Sequence, residues 1–366
     1  MTPSRRQWIR AGLGGLTAGA LGACRGTMDM NASSRLSQAQ IDELFDRPKR
    51  MCFGRYAVEL PREAEQIFGF GDIAGGFKPF SRAKFPDATA LLRAQWKELT
   101  AWDREPRMAC PITVGPAKGS QYFWFFDDDF SERHDHRRLR AAIQRGSAVY
   151  LYRGLAVKED HRPVELIFSN MTALMRGMRA WDGVEVPREP GVCIDGAFIH
   201  EPTNRFQEIM SSGFYFPSLP DVSFSVMSNK NAATDGPNGV GLLERVDRAR
   251  SRANSIPLLG GYPYSFLRRG KRTLHGLWDG EEVLTRSSND QALRFEWAMV
   301  GERGNVARPA HLSIALRTRV RDNRVGASPE TSISDEQAIA LWDRLLDNVK
   351  FRVAVPGATP QAVARL

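Results

Sequence analysis

Cysteine is scarce: four in 366 residues cannot build the disulfide framework of a small secreted scaffold. Acid is in deficit, with 42 Asp plus Glu against 51 Lys plus Arg and a net charge of +9. The sequence also lacks a G-x-S-x-G elbow, a P-loop, an H-E-x-x-H pair and a C-x-x-C pair. Their absence removes the local signatures of α/β hydrolases, P-loop nucleotide hydrolases, zinc peptidases and thiol redox proteins. A Ser-His-Asp site assembled from distant segments leaves no such signature, and that route stays open. What is present is ordinary for a soluble globular chain: 42% apolar and 25% charged residues. These values exclude wholesale disorder, a collagen-like repeat and a multispanning membrane protein. The length suits two domains.

The N-terminus reads as an export signal. Arg5, Arg6 and Arg10 precede an apolar stretch, residues 11–23, that ends in Leu21-Gly22-Ala23-Cys24. A charged start, a short apolar run and a small-residue exit define a cleaved signal peptide, too short to span a bilayer. Leu21 to Cys24 resembles the bacterial lipobox, in which Cys24 is acylated and becomes the new N-terminus. Arg5-Arg6 resembles a twin-arginine signal, with Trp8 and Ile9 following. Removal of residues 1–23 takes three arginines and no acid, which leaves +6. Spread over this length, and with no stripe of basic and aromatic residues in the sequence, that charge is a solvated surface and not a nucleic-acid footprint. Arg25 follows Cys24 where an inner-membrane signal would place Asp, so the expected site is the outer membrane. Residues 24–36 read as a flexible tether.

Order is expected from Ser37, which with Gln40 makes a capping box, and the first helix ends before Pro48. Residues 51–60 read as one strand. Asp87 caps a helix that aligns Leu92, Trp96 and Leu99. Residues 122–126 and 147–157 read as strands, and residues 163–178 as a mixture of strand and helix. Residues 181–190, with Pro187 and Pro190 and no periodicity, read as a linker. Beyond them the period becomes two: Val222, Phe224 and Val226, then Leu293, Phe295 and Trp297, then Leu312, Ile314 and Leu316. Such alternation predicts antiparallel strands with one wet face. A last helix opens at Ser334 with Gln337 as its capping partner. The expected fold class is α+β, in two domains, each a mainly antiparallel sheet with packed helices. Their expected bounds are 37–186 and 187–356.

Two segments mimic chemistry. Gly69-Phe70-Gly71-Asp72-Ile73-Ala74 has the letters of a dinucleotide fingerprint, but Gly75-Gly76-Phe77-Lys78-Pro79 cannot start the helix that would receive a pyrophosphate. It reads as a glycine-rich strand and turn. Residues 127–136 hold Asp127, Asp128, Asp129, His134 and His136. They read as the acidic start of a helix whose end carries Arg137, Arg138, Arg140 and Arg145 and which Gly146 closes. His200-Glu201 lacks the second histidine of a zinc motif. No catalytic, cofactor-binding or metal residues are expected, and no cofactor.

Three stretches together carry a family resemblance: Met51-Cys52-Phe53-Gly54-Arg55-Tyr56 to Pro61, Gly191-Val192-Cys193-Ile194-Asp195-Gly196 to Ile199, and Gly276-Leu277-Trp278-Asp279-Gly280 to Arg286. In this order and spacing the chain resembles the two-domain immunity proteins cognate to type VI secretion phospholipase effectors. The resemblance implies a periplasm-facing lipoprotein, anchored through Cys24, that binds and blocks a phospholipase effector. Its expected partners are that protein and the membrane holding its anchor, with no nucleic acid. The alternatives are an envelope binding or scaffold lipoprotein and an envelope hydrolase with an unrecognised site. Within these stretches Gly54 and Gly196 suit close backbone approach beside strands, and Gly280-Glu281-Glu282 suits a turn. Cys52 and Cys193 open the two halves at similar places, as a disulfide or as two buried thiols. The interface residues have no sequence signature.

Overall fold

The computed structural model describes residues 38–101, 105–157, 162–235, 239–256, 261–289, 291–318 and 331–365. The expected signal, Cys24, the expected tether and Ser37 lie outside the described residues. After α1 (Gln38–Glu43), β1 (Lys49–Phe53) and β2 (Tyr56–Leu60) form a hairpin. The single strand expected over 51–60 is therefore two, because Gly54 sits at φ +53 and turns the chain back on itself. β18 (Lys350–Phe351), from the far end of the chain, completes this small sheet beside β2.

The largest layer is an antiparallel sheet of seven strands in the order β14-β15-β16-β17-β13-β12-β3. Their ranges are β14 Tyr264–Leu274, β15 Trp278–Ser287, β16 Leu293–Val300, β17 His311–Thr318, β13 Leu219–Asn229, β12 Glu208–Phe216 and β3 Glu65–Ile73. The period-two residues fall on one face as expected: Phe224, Val226, Phe295, Trp297, Ile314 and Leu316 are all buried. On them lies α6 (Asp335–Asp347), started by the Ser334/Gln337 capping box and buried along Leu341, Trp342, Leu345 and Leu346. Fully burying one such side chain contributes roughly 1.5–3 kcal/mol, so this face is the main apolar store of the fold.

A second sheet, β4 (Phe77–Ser81), β8 (Ala148–Ala156), β7 (Arg137–Arg145), β6 (Ser120–Phe126) and β5 (Arg107–Val114), carries a helix on each side. α2 (Ala88–Thr100), capped by Asp87, packs Leu91 and Leu92 on Phe123, Phe125 and Leu151. α4 (Val164–Gly177), a single helix in place of the expected mixture, packs Met171, Leu174 and Met175 on Leu139, Ile143 and Tyr150. The helix expected through Arg145 is corrected. The acidic start is real, since Asp128 caps α3 (Asp129–Arg133), but the chain breaks at Asp135 with φ +53 and continues as β7. Both faces of β7 are buried, so its centre, Leu139 to Ile143, shows no alternation and the charge order alone suggests a helix.

The turn expected at Gly280 is also corrected. It falls at His275 and Gly276, both at positive φ, between β14 and β15. Gly280 lies inside β15, where a Cβ would meet the Trp297 ring at 2.3 Å. Strands from before residue 187 complete layers made after it: β3 ends the seven-stranded sheet, and β1, β2 and α1 join its core. The expected boundary between 186 and 187 falls inside one contact unit, Arg35–Leu366. Residues 181–190 hold no helix or strand, as a linker would, yet they are pinned: the buried Arg352 donates to the carbonyls of Pro187, Glu189 and Gly191.

Candidate functional site

The first two family-like stretches meet at one seam, and the third packs its Trp278 ring 6.1 Å from that of Tyr56 in the first. Gly54 at the β1–β2 turn exchanges two backbone hydrogen bonds of 2.8 Å with Cys193 on β10 (Gly191–Ile194), which pairs in turn with β11 (Ala197–His200). Beside this bridge Cys52 and Cys193 are joined as a disulfide, with Cα atoms 6.0 Å apart and both residues buried. It closes a loop across 141 residues of sequence. Cys110 is free.

Behind the disulfide sits a buried charge cluster. Arg55 donates through Nε and Nη2 to Glu208 at 2.9 and 2.7 Å, and also reaches the Glu201 carboxylate. Lys230 donates to Asn204 O at 2.6 Å and stands 3.4 Å from Glu208. Burial opposes the charge on Arg55, but Glu208 and Glu201 outweigh it and its pKa is raised. Burial also works against the Glu201 carboxylate, while hydrogen bonds from Thr203 and the charge of Arg55 hold its pKa below the usual range. Glu201 is therefore a structural counter-ion. No water-exposed nucleophile or paired general acid and base is built here.

Among the described residues no group of three or more His, Cys, Asp or Glu could hold a metal ion. His134 ends α3 with its ring 4.3 Å from that of Phe130. The glycine-rich segment is β3 and its turn, as read, and no helix begins there to receive a phosphate.

What the seam presents outward is an exposed sheet edge flanked by clefts, the candidate docking surface. β3 is the edge of the seven-stranded sheet, so among the described residues its outer backbone groups have no strand partner. Phe70 and Ile67 on it are 59% and 50% exposed. A cleft of about 240 Å³, lined by Phe68, Phe70, Phe77, Met210 and Cys193, separates β3 from β4, the edge of the other sheet. A wider cleft of about 1020 Å³ continues along Phe68, Trp181 and residues 182–189. Small residues recur on the outer face beside β3: Gly213, Ser225 and Ala315 lie opposite one another across β12, β13 and β17, with Ser223 two residues along β13 and Met227 44% exposed. α5 (Leu242–Ser255) packs over β15 and β16 and touches Phe266 of β14, at the end of the sheet away from β3. Sequence reading missed these residues. An exposed Phe and Ile on an alternating strand was the available signal, and glycines at 69 and 71 masked it.

Residues 185–354 match the family described as Tle cognate immunity protein 4 (Tli4) C-terminal domain. The stretch is similar to a Tli4 immunity domain. The resemblance to type VI secretion lipase immunity proteins thus holds, with two of its three stretches inside the match and the first joined to one of them by the Cys52–Cys193 disulfide. Such proteins inhibit and do not catalyse. Beyond the Tli4-like domain the fold is similar to immunity protein TplEi of the T6SS of Pseudomonas aeruginosa, at 23% identity and TM-score 0.60, over 83% of this chain and 97% of that one. TplEi complexed with an "L" peptide is similar at TM-score 0.61 and 23% identity, over 84% and 99%. A chain of the Tle4–Tli4 complex is similar at TM-score 0.61 and 23% identity, over 83% and 97%. No curated protein matches.

Proposed function

We propose that this chain is an exported, lipid-anchored immunity protein that binds a type VI phospholipase effector one-to-one and blocks it. The carrying observation is the Tli4-like domain at residues 185–354, set in a fold like that of TplEi and Tli4 over most of the chain. Tli4 forms a complex with Tle4, and an effector of that class is the expected partner here. Two further features support the cellular setting. A Cys52–Cys193 disulfide belongs to an oxidising compartment such as the periplasm, and the Leu21 to Cys24 pattern suits acylation at Cys24. The expected outer-membrane site rests on Arg25.

Inhibition needs no chemistry from this chain. A lipase must open its mouth against a bilayer, and a body that grips it from two sides, with the edge of β3 and the flanking sheet, can hold that mouth shut. Contacts on two linked sides raise effective concentration over either alone. The test is titration of the cognate lipase effector, sought among proteins of the Tle4 class, with the mature chain. Activity should fall linearly to a plateau near one equivalent. Activity that persists at several equivalents, with no complex on gel filtration, would move the envelope-scaffold reading ahead. Fatty-acid labelling that marks wild type and not Cys24→Ser checks the anchor.

A further inference from the structure

The outer face of the seven-stranded sheet changes character at its other end. No basic and aromatic stripe exists in the sequence, but folding makes one. Tyr262, Tyr264 and Phe266 form a ring cluster with centroids 5.2 and 6.0 Å apart. Three guanidiniums lie over it: Arg250 at 5.7 Å and Arg269 at 5.0 Å from Phe266, and Arg294 at 4.9 Å from Tyr264. Next to Arg294, directly opposite on the adjacent strand, is Arg317. Both are exposed. Like charges at opposed positions on neighbouring strands destabilise a sheet, and no acid bridges this pair among the described residues.

The local acids are already engaged. Glu244 pairs with Arg248, Asp247 with Arg269, and Glu296 with Arg245. Arg252, Arg294 and Arg317 keep no acidic partner among the described residues, and Arg250 shares the single charge of Asp247 with Arg269. Arg252 lies two turns beyond Arg245 on the same side of α5, towards β16. The result is an open surface of uncompensated guanidiniums around aromatic rings.

From this geometry we infer a second binding surface: the α5–β14 end of the outer face docks on a bilayer containing anionic phospholipid. Guanidiniums recognise phosphate oxygens by forked hydrogen bonds. Rings with one apolar and one polar side settle at the headgroup level. Each basic residue near an anionic leaflet contributes about 1 kcal/mol. A partner that is a sheet of phosphates suits a patch whose charge is spread over several side chains. This surface is separate from the β3 edge and does not depend on the immunity reading, although a tether at Cys24 would keep the bilayer within reach.

The experiment is vesicle flotation of the mature chain carrying Cys24→Ser, so that no acyl chain contributes. Phosphatidylglycerol-containing vesicles should retain the protein and pure phosphatidylcholine vesicles should not, with retention lost at high salt. Arg294→Gln with Arg317→Gln should weaken retention about fivefold for each charge removed. A merely structural role would lower the melting temperature, whereas relief of the Arg294–Arg317 repulsion should leave it equal or higher. The same double variant should inhibit the cognate lipase on a soluble monomeric ester as wild type does. Equal flotation with both lipids, or retention unchanged in the variant, overturns the proposal. So does a variant that floats normally but loses lipase inhibition, since the patch would then face the effector protein. Failure of wild type to inhibit would count against the immunity reading alone.

Discussion

The two faces of the seven-stranded sheet are built from the same strands and to opposite ends. On one, Phe224, Phe295, Trp297 and Leu316 interlock with Leu341, Trp342 and Leu345 of α6, and every one of them is buried. On the other, the residues in between are Ser223, Ser225, Arg294, Ala315 and Arg317, with α5 over one end only. Apolar volume holds the fold on the first face, so a loss there costs stability. On the second face little is packed, and an exposed Phe, an exposed Ile and opposed arginines persist where stability alone would favour other residues. Residues that the chain needs to fold are thus separable from residues that a partner would need.

The sharpest break comes from the packed face. Trp342→Ala should lower unfolding free energy by about 3–5 kcal/mol in a denaturant titration, because it empties a fully buried site and strips the hydrogen bond from its indole to Glu282. A loss near zero would mean that α6 is not what closes this core. Cys52→Ser with Cys193→Ser comes next, with about 2–5 kcal/mol expected for so long a loop, read in the same titration. It should also loosen the seam between β1 and β10.

On the open face the order of effects reverses. Phe70→Asp and Ile67→Asp should change stability by no more than about 0.5 kcal/mol, as exposed substitutions do. They should weaken lipase binding by a factor of ten or more if the β3 edge is a hot spot of the interface, measured by calorimetry. Equal loss of stability and binding would erase the distinction between the faces.

The smallest expected effect is a pH dependence. Burial lowers the pKa of His275, at the β14–β15 turn, and of His311, on β17. Each is held neutral in the fold and takes up a proton more readily when unfolded. The associated stability is present above the unfolded pKa of about 6.5 and is lost as pH falls from there towards the folded values. His275→Gln and His311→Gln should flatten that acid limb of the stability curve.

Much of the packed face was legible because alternation is a local signal. The strands around Phe224, Phe295 and Ile314, the capping box at Ser334 and the Asp87 cap all declare themselves within a few residues. β7 was not legible, since a strand buried on both sides loses its period and its flanking charges imitate a helix dipole. The β1–β2 hairpin turned on a single φ at Gly54. The open face was hidden for a different reason. Arg294 and Arg317 lie far apart in sequence, as do Phe70 and Met227, and only strand pairing makes neighbours of them. Interfaces built across strands carry no motif, and the +9 charge showed neither where it gathers nor what it faces.

Hydrogen exchange of the mature chain, with and without one equivalent of its cognate lipase, tests the role of the open face most directly. Amides of β3 and of residues 181–190 should slow markedly in the complex, while those of α6 and β18, on the packed side, should keep their free rates. Protection that appears on α6 and leaves β3 unchanged would contradict the assignment of the open face and its edge as the inhibitory surface.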